Sequence, residues 1–578
     1  MKKISKKILA ILLAAMCAFS VFAVTASAEE NTAEEAYFFD SFLSDLILKD
    51  GVYYEVYSDE FDTYASVVDF EINENGESVV AASVTIPETI EYNGESFPVT
   101  EIGYGAFMDC STLREITLPE TITVIYDYAF CGAAFLEKVV IPETVEFYSF
   151  GDSVFEYTPV LGYFAENSDD GAVILGQNVL LAYLGSDKTY TIPEEIDFIA
   201  DHCFFMSGVE KVNFNENILA IPPYAFASCR NLKSITIPDS ILDIREGAFS
   251  NCTNLEEVNL GDSLQYIGVK AFENTKIKNI YIGENIAEVA GAFAGCSTLE
   301  SITVSEANIK YYFKDNALYY SYEDFEYDFT TLEYYLITNK ASTFTVPEYV
   351  SVIGPYAFYG CKQLENVNIV SAVYVYDNAF AYCDFESFDF SNIVTLSYAA
   401  FRGCKNLKSV DLSSVLFVSD SAFENCEKLA SVTFSDDIYY IGSRAFANTS
   451  LTEVSVGGED TEIGESAFAD CKKLKRVNFN DGVWVIYSHV VANCPELETV
   501  FISKTVEYVD YYAFEDCQNV TFQIIQYSDG ADAIIEYAED AENDVTKYEI
   551  VGKLNIFERI EKFFSDIFEK ILDFFFRW

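Results

Sequence analysis

The sequence predicts an α/β-type repeat solenoid, with a parallel strand ladder on one face and irregular or short helical turns on the other. Three observations predict it. The phrase Ala-Phe-x-x-Cys returns every 21 to 23 residues. Between copies, a short stretch alternates apolar and polar residues and often ends at a proline. The remaining apolar positions keep fixed places in the period, so no unit can bury its hydrophobic face alone and neighbours must stack. Such a chain offers a long surface for holding other molecules and has no obligatory catalytic cleft.

Thirteen Ala-Phe pairs carry the phrase, with phenylalanines at Phe107, Phe130, Phe226, Phe249, Phe272, Phe293, Phe358, Phe380, Phe401, Phe423, Phe446, Phe468 and Phe514. Degenerate copies stand at Val154-Phe155, Cys203-Phe204 and Val490-Val491. The clearest unit runs from Cys229 to Phe249. Ile235 and Ile237 alternate with a polar residue, which predicts a short strand with one buried face, and Pro238 ends it because proline cannot donate to a ladder. Ile241 and Ile244, three apart, predict a tight turn or short helical bend. Ala248 allows close packing, and Phe249 fills the interior. The same frame is legible at Leu255/Val258/Leu260, Leu407/Val410/Leu412 and Leu474/Val477/Phe479.

Leu-x-x-Ile-x-Ile-Pro followed by Ile-x-x-x-Ala-Phe-x-x-Cys resembles the leucine-rich repeats of the BspA, or treponemal, type over about residues 84–525. The resemblance implies a secreted or surface-exposed bacterial protein engaged in adhesion or protein recognition, and it implies no cofactor. Fold analogy bears on function only weakly.

The flanks read differently. Residues 1–28 have the form of a secretory signal: Lys2, Lys3, Lys6 and Lys7, then an apolar stretch, then Ala26-Ser27-Ala28. A retained membrane anchor is the alternative. Residues 29–83 lack the repeat and are expected to cap the first coil, with a helix-compatible stretch over 36–49, strands near 52–57 and 65–72, and an Asn93-Gly94 turn just beyond. Hairpin-like insertions are expected near 157–190 and 305–345. The second is rich in tyrosines and acids (Tyr319, Tyr320, Tyr322, Tyr327, Tyr334, Tyr335) and is expected either to project as a binding element or to repack on its own coil. An acidic spacer is expected over 526–552. A C-terminal amphipathic helix is expected over 553–578, where Phe557, Ile560, Phe564, Ile567, Phe568, Ile571 and Phe575 keep helical spacing and Trp578 ends the chain. Its regular charges forbid a membrane span. They suit the membrane interface, a partner, or the solenoid's own end.

The formal charge is −58, or −62 without the four lysines of the first segment. That field repels nucleic acid and favours basic partners; it also simply keeps an aromatic-rich solenoid soluble. Ten cysteines share one repeat position, Cys517 adds another, and Thr275 and Thr449 replace it in two coils. This interchange predicts a buried ladder of small, weakly hydrogen-bonding groups. With no Cys-x-x-Cys pair, zinc is not expected. His202 and His489 occupy a variable, exposed-looking position and lie too many coils apart to share a substrate. No phosphate loop or nucleophile elbow occurs. Binding is therefore assigned to the outward positions of the strand ladder: Thr117, Thr236, Asn259, Tyr281, Thr303, Asn368, Asp411, Thr433, Ser455 and Asn478, with Arg114 and Glu115 alongside. These small polar groups favour a protein ligand on a host or neighbouring cell over a polysaccharide. A structural envelope protein, held by the C-terminal helix, is the reading from a different class.

Overall fold

The computed structural model describes residues 46–58, 63–73, 76, 78–160, 171–322, 329–458, 460–517, 520–526, 528–539 and 548–553. The signal segment, the start of the leader and residues 554–578, including every apolar position of the expected C-terminal helix, lie outside the described residues. The chain divides into two compact units, Met1–Ile277 with Asn285–Glu288 and Lys278–Glu284 with Val289–Trp578.

Most coils carry two short parallel strands. In the reference coil, Ser234–Thr236 pairs with Glu257–Asn259 in a first ladder. The Pro238 carbonyl accepts the Ile241 amide at 3.1 Å to close a turn. The chain then re-extends as Asp243–Ile244, which pairs with both Ala220–Ile221 and Tyr266–Ile267 in a second ladder. Of the tight turn or short helical bend expected at Ile241 and Ile244, the structure has the turn, followed by a strand. A two-residue strand is too short to show alternation, and a spacing of three fits either arrangement.

The return segment accounts for its backbone donors alternately. The amides of Ala248, Ser250 and Cys252 bond carbonyls three residues back at 3.3, 2.8 and 3.2 Å, whereas those of Gly247, Phe249 and Asn251 reach Val269, Ala271 and Glu273 of the next coil at 3.0, 2.7 and 2.7 Å. This zigzag requires left-handed residues just before the alanine and just before the cysteine: Gly247 (φ 59°) and Asn251 (φ 59°) here, Ser421 and Asn425, or Ser466 and Asp470, elsewhere. A side chain on Gly247 would place its Cβ 2.2 Å from the Tyr224 ring.

Inside, the phenylalanines form columns. In the first unit, ring centroids from Phe107 to Phe130 and from Phe130 to Phe155 are both 5.3 Å apart, and from Phe226 to Phe249 and Phe249 to Phe272 they are 5.2 and 5.4 Å. In the second, Phe358, Phe380, Phe401, Phe423, Phe446 and Phe468 follow at 4.9 to 5.6 Å. These steps sit close to the strand spacing of about 4.8 Å that stacking imposes, and near-parallel rings add to the burial energy.

The repeat cysteines bond the coil before them. Cys252 Sγ donates to Phe226 O at 3.0 Å, Cys404 to Phe380 O at 3.2 Å and Cys426 to Phe401 O at 3.2 Å. The described cysteines are all free thiols. Thr275 and Thr449 turn their hydroxyls to the phenylalanine carbonyl of their own coil, at 2.9 and 3.0 Å. Cys404→Ala should therefore lower stability by about 1–2 kcal/mol, from a lost donor and a small cavity. Cys404→Thr should cost less than half of that. Urea midpoints of the two variants check it; equal losses would remove the donor from the explanation.

The leader is a β-structure. Ile47–Lys49, Val52–Ser58 and Thr63–Phe70 form an antiparallel meander whose last strand pairs in parallel with Glu95–Ile102. It carries Phe70 onto the ring column, 6.5 Å from Phe107. The helix-compatible stretch over 36–49 thus ends as a strand. Asp50 and Gly51 (φ 55° and 79°) make the two-residue turn that fixes it, a hairpin signal passed over in the sequence.

Two further expectations meet the structure. The described residues of the tyrosine-rich insertion take the second of its two expected courses and join the coil. Tyr311–Lys314, Ala317–Tyr322 and Phe329–Tyr335 form a meander whose last strand pairs in parallel with Val352–Ile353 of the second ladder. Tyr319, Tyr334 and Tyr335 are buried, with Tyr334 Oη donating to Cys296 O at 3.4 Å; Tyr327 lies outside the described residues. The acidic spacer expected over 526–552 is structured where it is described. Ser528 Oγ caps the helix Asp529–Glu539 by accepting the Ala531 amide at 3.2 Å. Ala531, Ala533 and Ile534 are buried, and Tyr548–Lys553 extends the first ladder beside Thr521–Gln526.

Candidate functional site

The outward residues of the first ladder stand in register. Thr236 lies opposite Asn259, Tyr281 opposite Thr303, Asp411 opposite Thr433 and Ser455 opposite Asn478. Asn368 faces Thr345, and Thr117 stands between Thr85 and Val140. All are exposed or half-buried. They come together in several short sheets, not in one unbroken row.

Arg114 and Glu115 belong to cross-coil ion pairs. Arg114 meets Glu137 at 3.1 Å and lies 5.2 Å over the Phe135 ring, while Glu115 meets Lys138 at 2.5 Å. Lys188–Glu210, Lys408–Glu386 and Arg476–Glu453 repeat the device in other coils. Each pair is exposed and contributes little to stability. Their effect is to tie up these five cations within the face.

The histidines are less exposed than their variable position suggested. Both hold left-handed backbone and are half-buried. His202 stacks on Tyr224 at 5.2 Å, and burial holds its pKa below the usual histidine value. His489 stacks on Tyr512 at 5.4 Å, with Nε2 3.1 Å from Glu515 and Nδ1 2.8 Å from Ser488 Oγ.

A depression of about 900 Å³ belongs to the first unit and lies along the second ladder. Its cause is local. Arg245 and Gly268 donate their amides to Ile221 O and Ile244 O at 2.9 and 2.7 Å; at the equivalent place stands Pro222, which has no amide hydrogen. Phe198–Ile199 and Ala220–Ile221 are not paired with each other, and the ladder opens there. The Arg245 guanidinium crosses the gap to the Asp152 carboxylate. Beside it, Asp201 accepts from the Ser153 amide and hydroxyl through one oxygen, while its other oxygen is buried without a partner. Burial, and then the Asp152 charge, push the Asp201 pKa up to about 8.

In the second unit, large aromatics stand outward on the second ladder. Tyr439, Trp484 and Tyr508 are about half exposed, and Trp484 with Tyr487, Asp460 and Glu462 lines a shallow pocket of about 310 Å³. Sequence reasoning missed these residues. Tyr439 and Trp484 stand two residues ahead of the inward Ile441 and Ile486, and Tyr508 one residue ahead of the inward Val509.

Ser488 Oγ, the His489 ring and the Glu515 carboxylate meet on the return segment of one coil and its neighbour, where His489 is half-buried and stacked on Tyr512. Burial raises Cys383 and Cys404 far above an ordinary thiol, so neither is available as thiolate. Among the described residues, no group of three or more His, Cys, Asp or Glu is placed to hold a metal ion, and no helix is long and apolar enough to cross a membrane.

Curated proteins contain no match to the chain. Similar solved structures include the pneumococcal vaccine antigen PcpA (15% identity, 88% of this chain and 97% of that one, TM-score 0.36). A leucine-rich cell surface protein from Faecalibacterium prausnitzii A2-165 (21%, 83% and 94%, 0.28) and a leucine-rich repeat protein from Eubacterium ventriosum ATCC 27560 (20%, 57% and 88%, 0.42) are also similar. None of these scores reaches 0.5, so assignment rests on the repeat itself. The BspA type leucine rich repeat region matches residues 31–162, 181–300, 219–343, 330–417 and 400–521. With its paired ladders, phenylalanine columns and recurring cysteines, the chain belongs to the BspA-type leucine-rich repeat family.

Proposed function

We propose that this protein is a secreted, surface-exposed recognition or adhesion module, non-catalytic, whose ligand is a protein with a basic surface on a host or neighbouring cell. The observation that carries the reading is the first ladder. Outward residues of paired strands stand in register, several cations beside them are paired across coils, and the chain as a whole is −58. Leucine-rich repeat proteins generally bind proteins. Two of the similar structures are named as a vaccine antigen and a cell surface protein.

Affinity for such a partner should fall about tenfold or more as NaCl rises from about 0.05 to 0.5 M. Surface plasmon resonance against extracted host and bacterial surface proteins measures it, and a complex indifferent to salt removes the electrostatic part of the reading. The structural envelope alternative places attachment in residues 553–578. Deleting 554–578 spares the strand Tyr548–Lys553. Loss of surface attachment with ligand binding intact supports adhesion with a separable anchor; loss of lattice or envelope integrity supports the alternative.

A further inference from the structure

We infer that the opening in the second ladder of the first unit is a binding groove for an extended, lysine- or arginine-rich segment of a protein partner. The inference rests on the reading above that the partner is basic, and it names where part of that partner sits.

Four features carry it. The groove has a structural origin, since Pro222 withholds the amide that would close the ladder, so the opening is built into the backbone. Its volume of about 900 Å³ suits a short peptide segment. Its rim carries the carboxylates of Glu146, Glu216 and Asp243, while its one cation, Arg245, is already held by Asp152. Apolar surface stands between the charges. Tyr148 is 86% exposed and Leu219 60% exposed, far more than the inward residues beside them, and Leu242 lies alongside. Carboxylates interleaved with apolar side chains fit long basic side chains, whose methylene stems lie on the apolar surface while their heads reach the acids. Nucleic acid and anionic lipid are repelled by the same rim.

The test uses the full chain and an eight-residue peptide of alternating lysine and leucine bearing a photo-crosslinker. Tyr148→Ala with Leu219→Ser removes exposed apolar surface without changing charge. The expected result is a fall in peptide affinity of about tenfold, with crosslinks on residues 146–150, 216–222 and 242–245. Met108→Ala with Met206→Ala, which removes exposed apolar surface away from the groove and the first ladder, should leave peptide affinity unchanged. Crosslinks spread over other coils, or unchanged affinity in the Tyr148/Leu219 variant, overturn the groove; if binding still weakens steeply with salt, the basic-partner reading survives that failure. Peptide binding insensitive to salt overturns both.

Discussion

Phe401→Ala should lower the stability of the second unit by about 3–5 kcal/mol, among the largest losses a single truncation produces. Phe401 is fully buried, and its ring lies 5.1 Å from Phe380, 5.6 Å from Phe423, 4.8 Å from Phe388 and 5.0 Å from Phe390. Removing it empties a space walled by four other rings. Those rings cannot collapse inward, because each coil is held at ladder spacing; the Phe401 amide itself bonds Ala422 O at 2.8 Å. The cavity term is therefore added in full to the lost transfer energy. In a repeat stack the loss should appear as early unfolding of nearby coils, since each coil leans on its neighbours. Urea unfolding followed by amide exchange over residues 380–446 measures both effects. Thr433→Ala, on the outward face of the same region, is the control and should change stability by under about 0.5 kcal/mol. A Phe401→Ala loss no larger than the control's would mean the ring column does not bear on stability.

The second large effect is a pH dependence centred on Asp201. Its folded pKa is raised to about 8 by burial and by Asp152. A group raised on folding contributes fully below its unfolded pKa, near 4, and the contribution is lost as pH rises through the folded value. Between about pH 4 and 8 the unfolded chain has released this proton while the folded chain keeps it, so stability falls with pH by up to about 1.4 kcal/mol per unit. Asp201→Asn keeps an oxygen for the Ser153 amide and hydroxyl, places no charge beside Asp152, and should flatten this part of the curve. The variant should match the native protein near pH 4 and exceed it by about 2 kcal/mol or more at pH 9. Denaturation midpoints at the two pH values decide it. A variant less stable than the native chain at pH 9 would show that the ionised carboxylate is needed there.

Some residues announced their structural roles. Phe226, Phe249 and Ala248 sit at fixed places in the period, and the structure buries them completely. Thr275 and Thr449, standing in for cysteine, pointed to a buried donor, and both hydroxyls bond a phenylalanine carbonyl. Other residues misled. Lys270, Arg444 and His489 share a position that looks like a free surface site, yet all three are left-handed. The constraint there is on backbone conformation, which nearly any unbranched residue can meet at some cost, so residue type barely records it. The tyrosines of the second insertion looked like an exposed cluster because acids surround them, while pairing with the second ladder turns three of them inward.

The repeating coil, the identity of its core residues and the acidic character of its surface follow from order along the chain. They are local properties written many times over, and repetition makes a weak signal unmistakable. The second ladder, the course of the insertions and the opening at Pro222 follow from which strands meet across coils. A two-residue strand has no periodicity of its own, and a missing amide matters only where a neighbouring carbonyl would have received it, so those features take shape once the coils are stacked.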